Sequence, residues 1–220
     1  MKYIISIVLI SAMYRSILEN EINIFENPSR IIISGSSGTG KSYFISKLIR
    51  KYQSCFDSVI VIGANLENID DLNVKRDDNY NPLTDDTSGR TLVIYDDVIY
   101  KKEKLATCAE TFTRGRHFGI SVILITQNLF LNDKNYRIIS LNCTHVVIFR
   151  NRDVRQIFCF ARSFLQNDLV QIFVNLYKRL VMNTPHGYMV IDFNKNTDNP
   201  LFIRSSVVDE DYEKAYKIDE

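Results

Sequence analysis

The chain has 220 residues, 45% of them hydrophobic, with 27 basic against 26 acidic side chains and a formal charge of +1. That length suits one domain with a small appendage, and 8 Gly and 4 Pro exclude a linker-rich or disordered chain. The near-neutral balance excludes a uniformly basic nucleic-acid binder, so any such contact must come from local patches or a surface shared between subunits.

Residues 1–22 come first. Their "MKYIISIVLISAMY" has the look of a short signal peptide, but its apolar run is shorter than the ~20 residues a membrane-spanning helix needs. The expectation is a packed segment at the edge of the domain, with no membrane partner. The domain proper is expected over 23–206, followed by a charged tail over 207–220 that reads as a surface helix or frayed end.

Within the domain the elements alternate. A strand is expected at 30–34 ("RIIIS"), then a helix at 41–54, where Phe44, Ile45, Leu48, Ile49 and Tyr52 repeat at helical spacing. "SVIVIG" (58–63) and "TLVIY" (91–95) are the next strands, separated by an insertion (64–90) with seven acids against three bases, read as an exposed loop. A helix at 103–113 leads to "ISVILIT" (120–126), and "THVVIF" (144–149) precedes helices at 153–164 and 167–181. "GYMVIDF" (187–193) and "LFIRS" (201–205) are expected to pair as a hairpin. Near-continuous Ile/Val strands between helices predict an α/β fold, a mostly parallel central sheet with helices on both faces. Ligands then gather at the carboxyl ends of the strands.

Three groups of side chains fall at those ends. "GSSGTGKS" fits G-x-x-x-x-G-K-[ST] and sits between a strand and a helix, the context such a loop requires. Gly35, Ser36, Ser37, Gly38, Thr39 and Gly40 supply backbone N–H groups that can curl around phosphates, and the helix N-terminus favours the same anion. Lys41 can reach the β- and γ-phosphates, and the Ser42 hydroxyl can ligate Mg²⁺. Asp96 and Asp97 follow the third strand. One acid suffices for the metal and is assigned to Asp96; the second, Asp97, is assigned to orienting and deprotonating an attacking water. Gln127 ends the fourth strand, where a neutral amide can contact the γ-phosphate or that water. Arg114 and Arg116 lie just before the same strand and can stabilise charge on a transferring phosphoryl group, from a neighbouring subunit if not from their own. Arg150, Arg152 and Arg155, with Lys101, Lys102 and Lys104, are candidate positive patches. The 58–63 strand falls between the loop helix and the acidic strand in sequence. That order permits the additional-strand class of NTPase, in which a further strand separates those two in the sheet.

Cys55, Cys108, Cys143 and Cys159 are widely spaced with no C-x-x-C, which fits neither a zinc site nor a disulfide framework. Buried free thiols in a reducing compartment are the expectation.

The blocks "NPSRIIISGSSGTGKS", "TLVIYDDV", "RGRHFGISVILITQNLF", "NCTHVVIFRNRDVRQIFCFAR" and "GYMVIDFNKNTDNPLFIRS" occur in an order that resembles genome-packaging ATPases of the FtsK–HerA superfamily. The likeness covers about 24–206 and is strongest to the versions in large eukaryotic DNA viruses, virophages and Maverick/Polinton elements. It implies a RecA-like P-loop core that binds ATP and Mg²⁺ and assembles as a homo-oligomeric ring of five or six subunits. The ring would pump double-stranded DNA into a capsid, with capsid or portal proteins as partners, inside the host cell at the site of virion assembly. It places Lys41 and Ser42 on nucleotide and metal, Asp96 and Asp97 in the acidic motif and Gln127 as the polar sensor. Its arginine finger would fall on Arg116 or Arg114. The chain departs from it in the apolar N-terminal segment and in Asn-Arg-Asp at 151–153, where related elements often carry a Pro before Arg-Asp. Two other readings stand beside it: a small P-loop nucleotide kinase with "FRNRDVR" as a phosphate clamp, and a non-hydrolysing ATP-binding structural subunit.

Overall fold

The computed structural model describes residues 14–18, 25, 28–63, 66, 69, 72–85, 89–193, 202–208 and 214–218. The strands are β1 (Tyr14–Leu18), β2 (Arg30–Ser34), β3 (Ser58–Ile62), β4 (Lys75–Arg76), β5 (Thr91–Asp96), β6 (Ile120–Thr126), β7 (His145–Phe149), β8 (Tyr188–Asp192), β9 (Phe202–Ser205) and β10 (Lys214–Ile218). They form one sheet in the order β1-β10-β9-β8-β7-β2-β6-β5-β3-β4. The pairs from β7 through β4 are parallel, and β8, β9, β10 and β1 extend the sheet antiparallel.

The helices are α1 (Lys41–Tyr52), α2 (Lys102–Arg114), α3 (Lys134–Asn142), α4 (Val154–Arg162) and α5 (Asn167–Tyr177), the last running into a π-helical turn, Lys178–Met182. Both sheet faces are covered, as the Ile/Val runs require. In β2, Ile31 and Ile33 pack with Phe44, Ile45, Leu48 and Ile49 of α1. Ile32 points the other way, into a core built from α2, α3, α4 and α5. The same alternation divides Leu92 and Ile94 from Val93 and Tyr95 in β5. Each such fully buried aliphatic side chain is worth roughly 1.5–3 kcal/mol, and that burial fixes the register of the sheet.

The structure differs from the sequence expectations in four places. The strand between β2 and β5 is β6; β3 lies outside β5, so the additional strand is "ISVILIT" rather than "SVIVIG". The tail read as a surface helix or frayed end contains β10, paired with β1 (Tyr216 opposite Ser16) and with β9 (Tyr216 opposite Ile203). α3 was not expected; Asp133 caps it, its carboxylate accepting from the N–H groups of Asn135 (2.7 Å) and Tyr136 (3.1 Å). The 64–90 insertion is tied down in part. Arg76 donates to the Leu66 carbonyl at 2.8 Å, and Asp78 accepts from the Gly63 N–H at 2.7 Å. Residues 1–13 and 19–22, the larger part of the apolar N-terminal segment, lie outside the described residues; β1 comes from its remainder and forms one edge of the sheet.

Candidate nucleotide site

The phosphate loop leaves the carboxyl end of β2 and is held on both sides. The Gly35 N–H donates to the Thr126 carbonyl of β6 (3.2 Å), and the Ser36 N–H to the Arg150 carbonyl after β7 (3.0 Å). The Arg152 N–H donates to Ser36 Oγ at 3.1 Å. Position 35 must be glycine for packing, since a Cβ there would stand 2.5 Å from Phe149 Cβ. Gly40 must be glycine for conformation: its φ is +100°, and it forms the N-cap of α1 without a side-chain cap. The first N–H groups of α1 therefore meet no capping side chain and point toward the loop, as an anion site requires.

A cavity of about 540 Å³ lies over the loop, bordered by Lys41, Ser42, Asp96, Asp97, Thr126 and Gln127. Lys41 Nζ donates to the carbonyls of Gly35 (2.6 Å) and Ser36 (2.9 Å). Burial pulls the Lys41 ammonium below its ordinary pKa, and the carboxylates of Asp96 and Asp97 push it back. Asp97 has φ +51°, a left-handed backbone that turns the chain directly after β5. Side chains from three strand ends thus meet where the sequence places them: the loop after β2, the two acids at β5 and Gln127 at β6.

Gln127 itself is exposed, but its loop is anchored. Thr126 Oγ1 accepts from the Asn128 N–H (3.3 Å), and the Tyr136 hydroxyl of α3 donates to the Leu129 carbonyl (2.9 Å). Gln156 Oε1 of α4 accepts from the Leu129 N–H at 2.9 Å.

Ser42 and Asp96 are suited to Mg²⁺. The ion takes one or two protein oxygens and completes its shell with phosphate oxygens and water, so a hydroxyl and a carboxylate on one cavity are a fitting donor set. No group of three or more His, Cys, Asp or Glu side chains that could hold a metal occurs among the described residues.

Arg114 and Arg116 are not brought to this cavity. They lie at the opposite end of β6 from Gln127; Arg114 pairs with Glu110 at 2.5 Å, and Arg116 borders a groove beside Arg30. Arg150 and Arg152 do approach the loop, bordering a cavity on its outer side with Ser36, Ser37 and Gly38. The lysine patch is partly engaged: Lys104 pairs with Asp78 at 2.5 Å, and Lys101 stands 3.8 Å from the same carboxylate. Cys108 is buried, Cys55 and Cys143 are half-buried, and none of the four is in a disulfide; Cys159 is exposed, against expectation, because it falls on the outer side of α4.

One residue was missed from sequence. His186 borders both the phosphate cavity and the cavity outside the loop, and a Cβ on Gly40 would lie 3.1 Å from its Nδ1. Its signal was faint, a lone His between Pro185 and Gly187. Its φ of +53° suits that tight turn.

No protein-family model matches the chain, and no curated protein matches it. Solved structures do. The genome packaging NTPase B204 from Sulfolobus turreted icosahedral virus 2, in complex with AMPPCP, is similar at TM-score 0.58 and 17% identity, over 81% of this chain and 97% of that one. B204, the DNA-packaging ATPase from Sulfolobus turreted icosahedral virus, is similar at TM-score 0.54 and 15% identity, over 88% of this chain and 99% of that one. The cytoplasmic domain of the Thermomonospora curvata type VII secretion ATPase EccC is similar at TM-score 0.52 and 10% identity, over 87% of this chain but 25% of that one. At these identities the likeness is one of fold. The chain has the α/β fold of P-loop ATPases, mostly parallel and flanked by helices, and the resemblance read from its motifs holds at that level.

Proposed function

We propose that this chain is an ATP-hydrolysing motor subunit that moves double-stranded DNA into a capsid. The observation that carries the reading is the convergence of the phosphate loop, Asp96-Asp97 and Gln127 on one cavity, in a fold similar to a viral genome-packaging NTPase along nearly that protein's whole length. Lys41 exchanges the carbonyls of Gly35 and Ser36 for β- and γ-phosphate oxygens. Ser42 and Asp96 would hold Mg²⁺, which would supply charge neutralisation at the phosphates. Asp97 orients a water and takes its proton, and Gln127 aligns that water or the γ-phosphate without adding charge.

Arg116, with Arg114 as the alternative, serves the γ-phosphate of a neighbouring subunit. From the far end of β6 neither reaches its own site, so the catalytic unit is an interface, and the assembly is a homo-oligomeric ring around duplex DNA. Capsid or portal proteins are its further partners. No helix of the described residues is long and apolar enough to cross a membrane.

A nucleotide kinase is the second reading, favoured by Arg150 and Arg152 beside the loop. Release of inorganic phosphate from ATP with no acceptor added separates the two. A hydrolase releases it steadily and loses the activity in Lys41→Ala, whereas a kinase turns over only when a nucleoside monophosphate is supplied.

A further inference from the structure

The helix layer on one face of the sheet is divided. α2 packs against α3 and α4 against α5, and between α3 and α4 a groove of about 670 Å³ runs over Ile32 of β2 and Val146 of β7. Its walls are aromatic. Phe164 meets Phe160 and Phe193 edge to face, with ring centroids 4.9 and 5.2 Å away, and Phe130 adjoins Phe160 at 6.5 Å. Phe130 is 45% exposed and Leu141 76% exposed, so apolar surface along the groove is left open to water.

Charge enters this groove with one sign only. Arg30 begins β2 and Arg116 precedes β6, and both border it; no Asp or Glu among the described residues does. The Arg30 Nε is buried with no hydrogen-bond partner among the described residues. Burial pulls the Arg30 guanidinium below its ordinary pKa, and the Arg116 charge pulls the same way. Cys143 beside them supplies no counter-charge near pH 7, because burial pushes its thiol up to about 12. A half-buried cation without an acid is unfavourable, and a carboxylate brought from outside would relieve it through charge-assisted hydrogen bonds.

We propose that this groove docks an apolar segment of a partner protein that carries one acidic side chain. Arg30 takes the carboxylate, and Phe130, Leu141 and the phenylalanine cluster take its apolar neighbours. Arg116 adds to the positive field without making the contact. Ser140, Asn142 and Ser163 along the groove offer polar atoms to the segment's backbone. A nucleic-acid strand suits the groove less, since its regular phosphates call for a row of cations and the rest of this lining is apolar. Arg30 stands at the opposite end of β2 from the phosphate loop, and the proposal is independent of the nucleotide reading.

The test is selection of a displayed random-heptapeptide library on the immobilised full chain. The enriched peptides, made synthetically, are then bound at equilibrium to wild type, Arg30→Gln, Phe130→Ala and Leu141→Gln. Enriched sequences should carry an acidic residue beside aromatic or aliphatic ones. Exchanging that acid for its amide should weaken binding about tenfold or more, and so should Arg30→Gln. Phe130→Ala and Leu141→Gln, which alter exposed side chains, should also weaken it measurably. Arg30→Gln should unfold at no lower a temperature than wild type, since it removes a half-buried charge that no acid in the groove answers. Failure to enrich any such sequence, or undiminished binding by all three variants, would overturn the proposal. So would a clear fall in the Arg30→Gln unfolding midpoint, which would make Arg30 a structural residue. Dissociation of a wild-type assembly by the enriched peptides would overturn the choice of occupant in favour of a second copy of this chain. Loss of duplex-DNA binding in Arg30→Gln, with peptide binding unchanged, would overturn it in favour of a phosphate backbone.

Discussion

A Cβ on Gly63 would stand 2.1 Å from the carbonyl oxygen of Asp96. Gly63 follows β3 and Asp96 ends the adjacent β5, so the backbone of the acidic motif rests on a contact that a side chain would break. Gly63 also has φ +119°, and its N–H is taken by Asp78. Gly63→Ala should cost about 1–3 kcal/mol of stability from backbone strain. It should also shift Asp96 and lower turnover more than ATP affinity. Thermal unfolding with parallel binding and rate measurements checks this; an unchanged rate per bound ATP would mean that Asp96 does not depend on this contact.

Lys41 and Asp97 border one cavity but should fail differently. On the proposed roles Lys41→Ala removes the cation that would face the β/γ-phosphates, and it should abolish ATP binding or hydrolysis. Asp97→Asn, on the same proposed roles, keeps the metal ligand and loses the base, so binding should persist while the rate falls by about 10²-fold or more. Asp97→Asn hydrolysing at the wild-type rate would reverse the roles given to Asp96 and Asp97.

Arg116→Ala should bind ATP through its own loop and turn over poorly, since loss of an arginine finger costs ~10³ or more in rate. Mixed with Lys41→Ala, it should regain part of its activity, because some interfaces would again pair an intact loop with an intact Arg116. Absence of recovery in co-assembled mixtures, for Arg114 as well, would transfer the role to Arg150 or Arg152.

His145, Asp192 and Arg204 form a buried ionic cluster under the antiparallel strands. Arg204 donates to Asp192 at 2.7 Å, and His145 Nε2 lies 3.4 Å from the other carboxylate oxygen. Burial, then the Arg204 charge, pulls the His145 pKa below its ordinary 6.5, against the opposing pull of Asp192. Between the lowered folded value and 6.5, the unfolded chain binds a proton that the folded chain does not. Stability from this group is therefore full above pH 6.5 and is lost as pH falls below it. Unfolding midpoints of wild type should drop more steeply from pH 7 to pH 5 than those of His145→Gln; parallel slopes would show that His145 is not the titrating group.

What the sequence made legible follows from where the information lies. Gly35 to Ser42 are contiguous, and their flanking strand and helix carry their own periodicity. Asp96-Asp97 and Gln127 end short runs, TLVIY and ISVILIT, whose strand length and Ile/Val content mark buried strands. His186 has no such context, because the turn "NTPHG" is ordinary and only tertiary packing carries it to Gly40. β10 was misread because "YEKAYK" is rich in helix formers, and pairing to β9 and β1 overrides that propensity. α3 is short and leaves Leu141 exposed, which weakens the apolar stripe that announces a helix. The order of β6 and β3 in the sheet is a crossover choice that periodicity does not encode.

Phosphate release by the assembled wild-type protein, measured with and without duplex DNA at low salt and with particle mass recorded on the same sample, tests the motor reading most directly. Turnover should rise when duplex is added, hardly depend on its sequence, and lose that stimulation steeply as salt increases. An assembled sample whose ATPase rate is indifferent to duplex DNA would contradict the account.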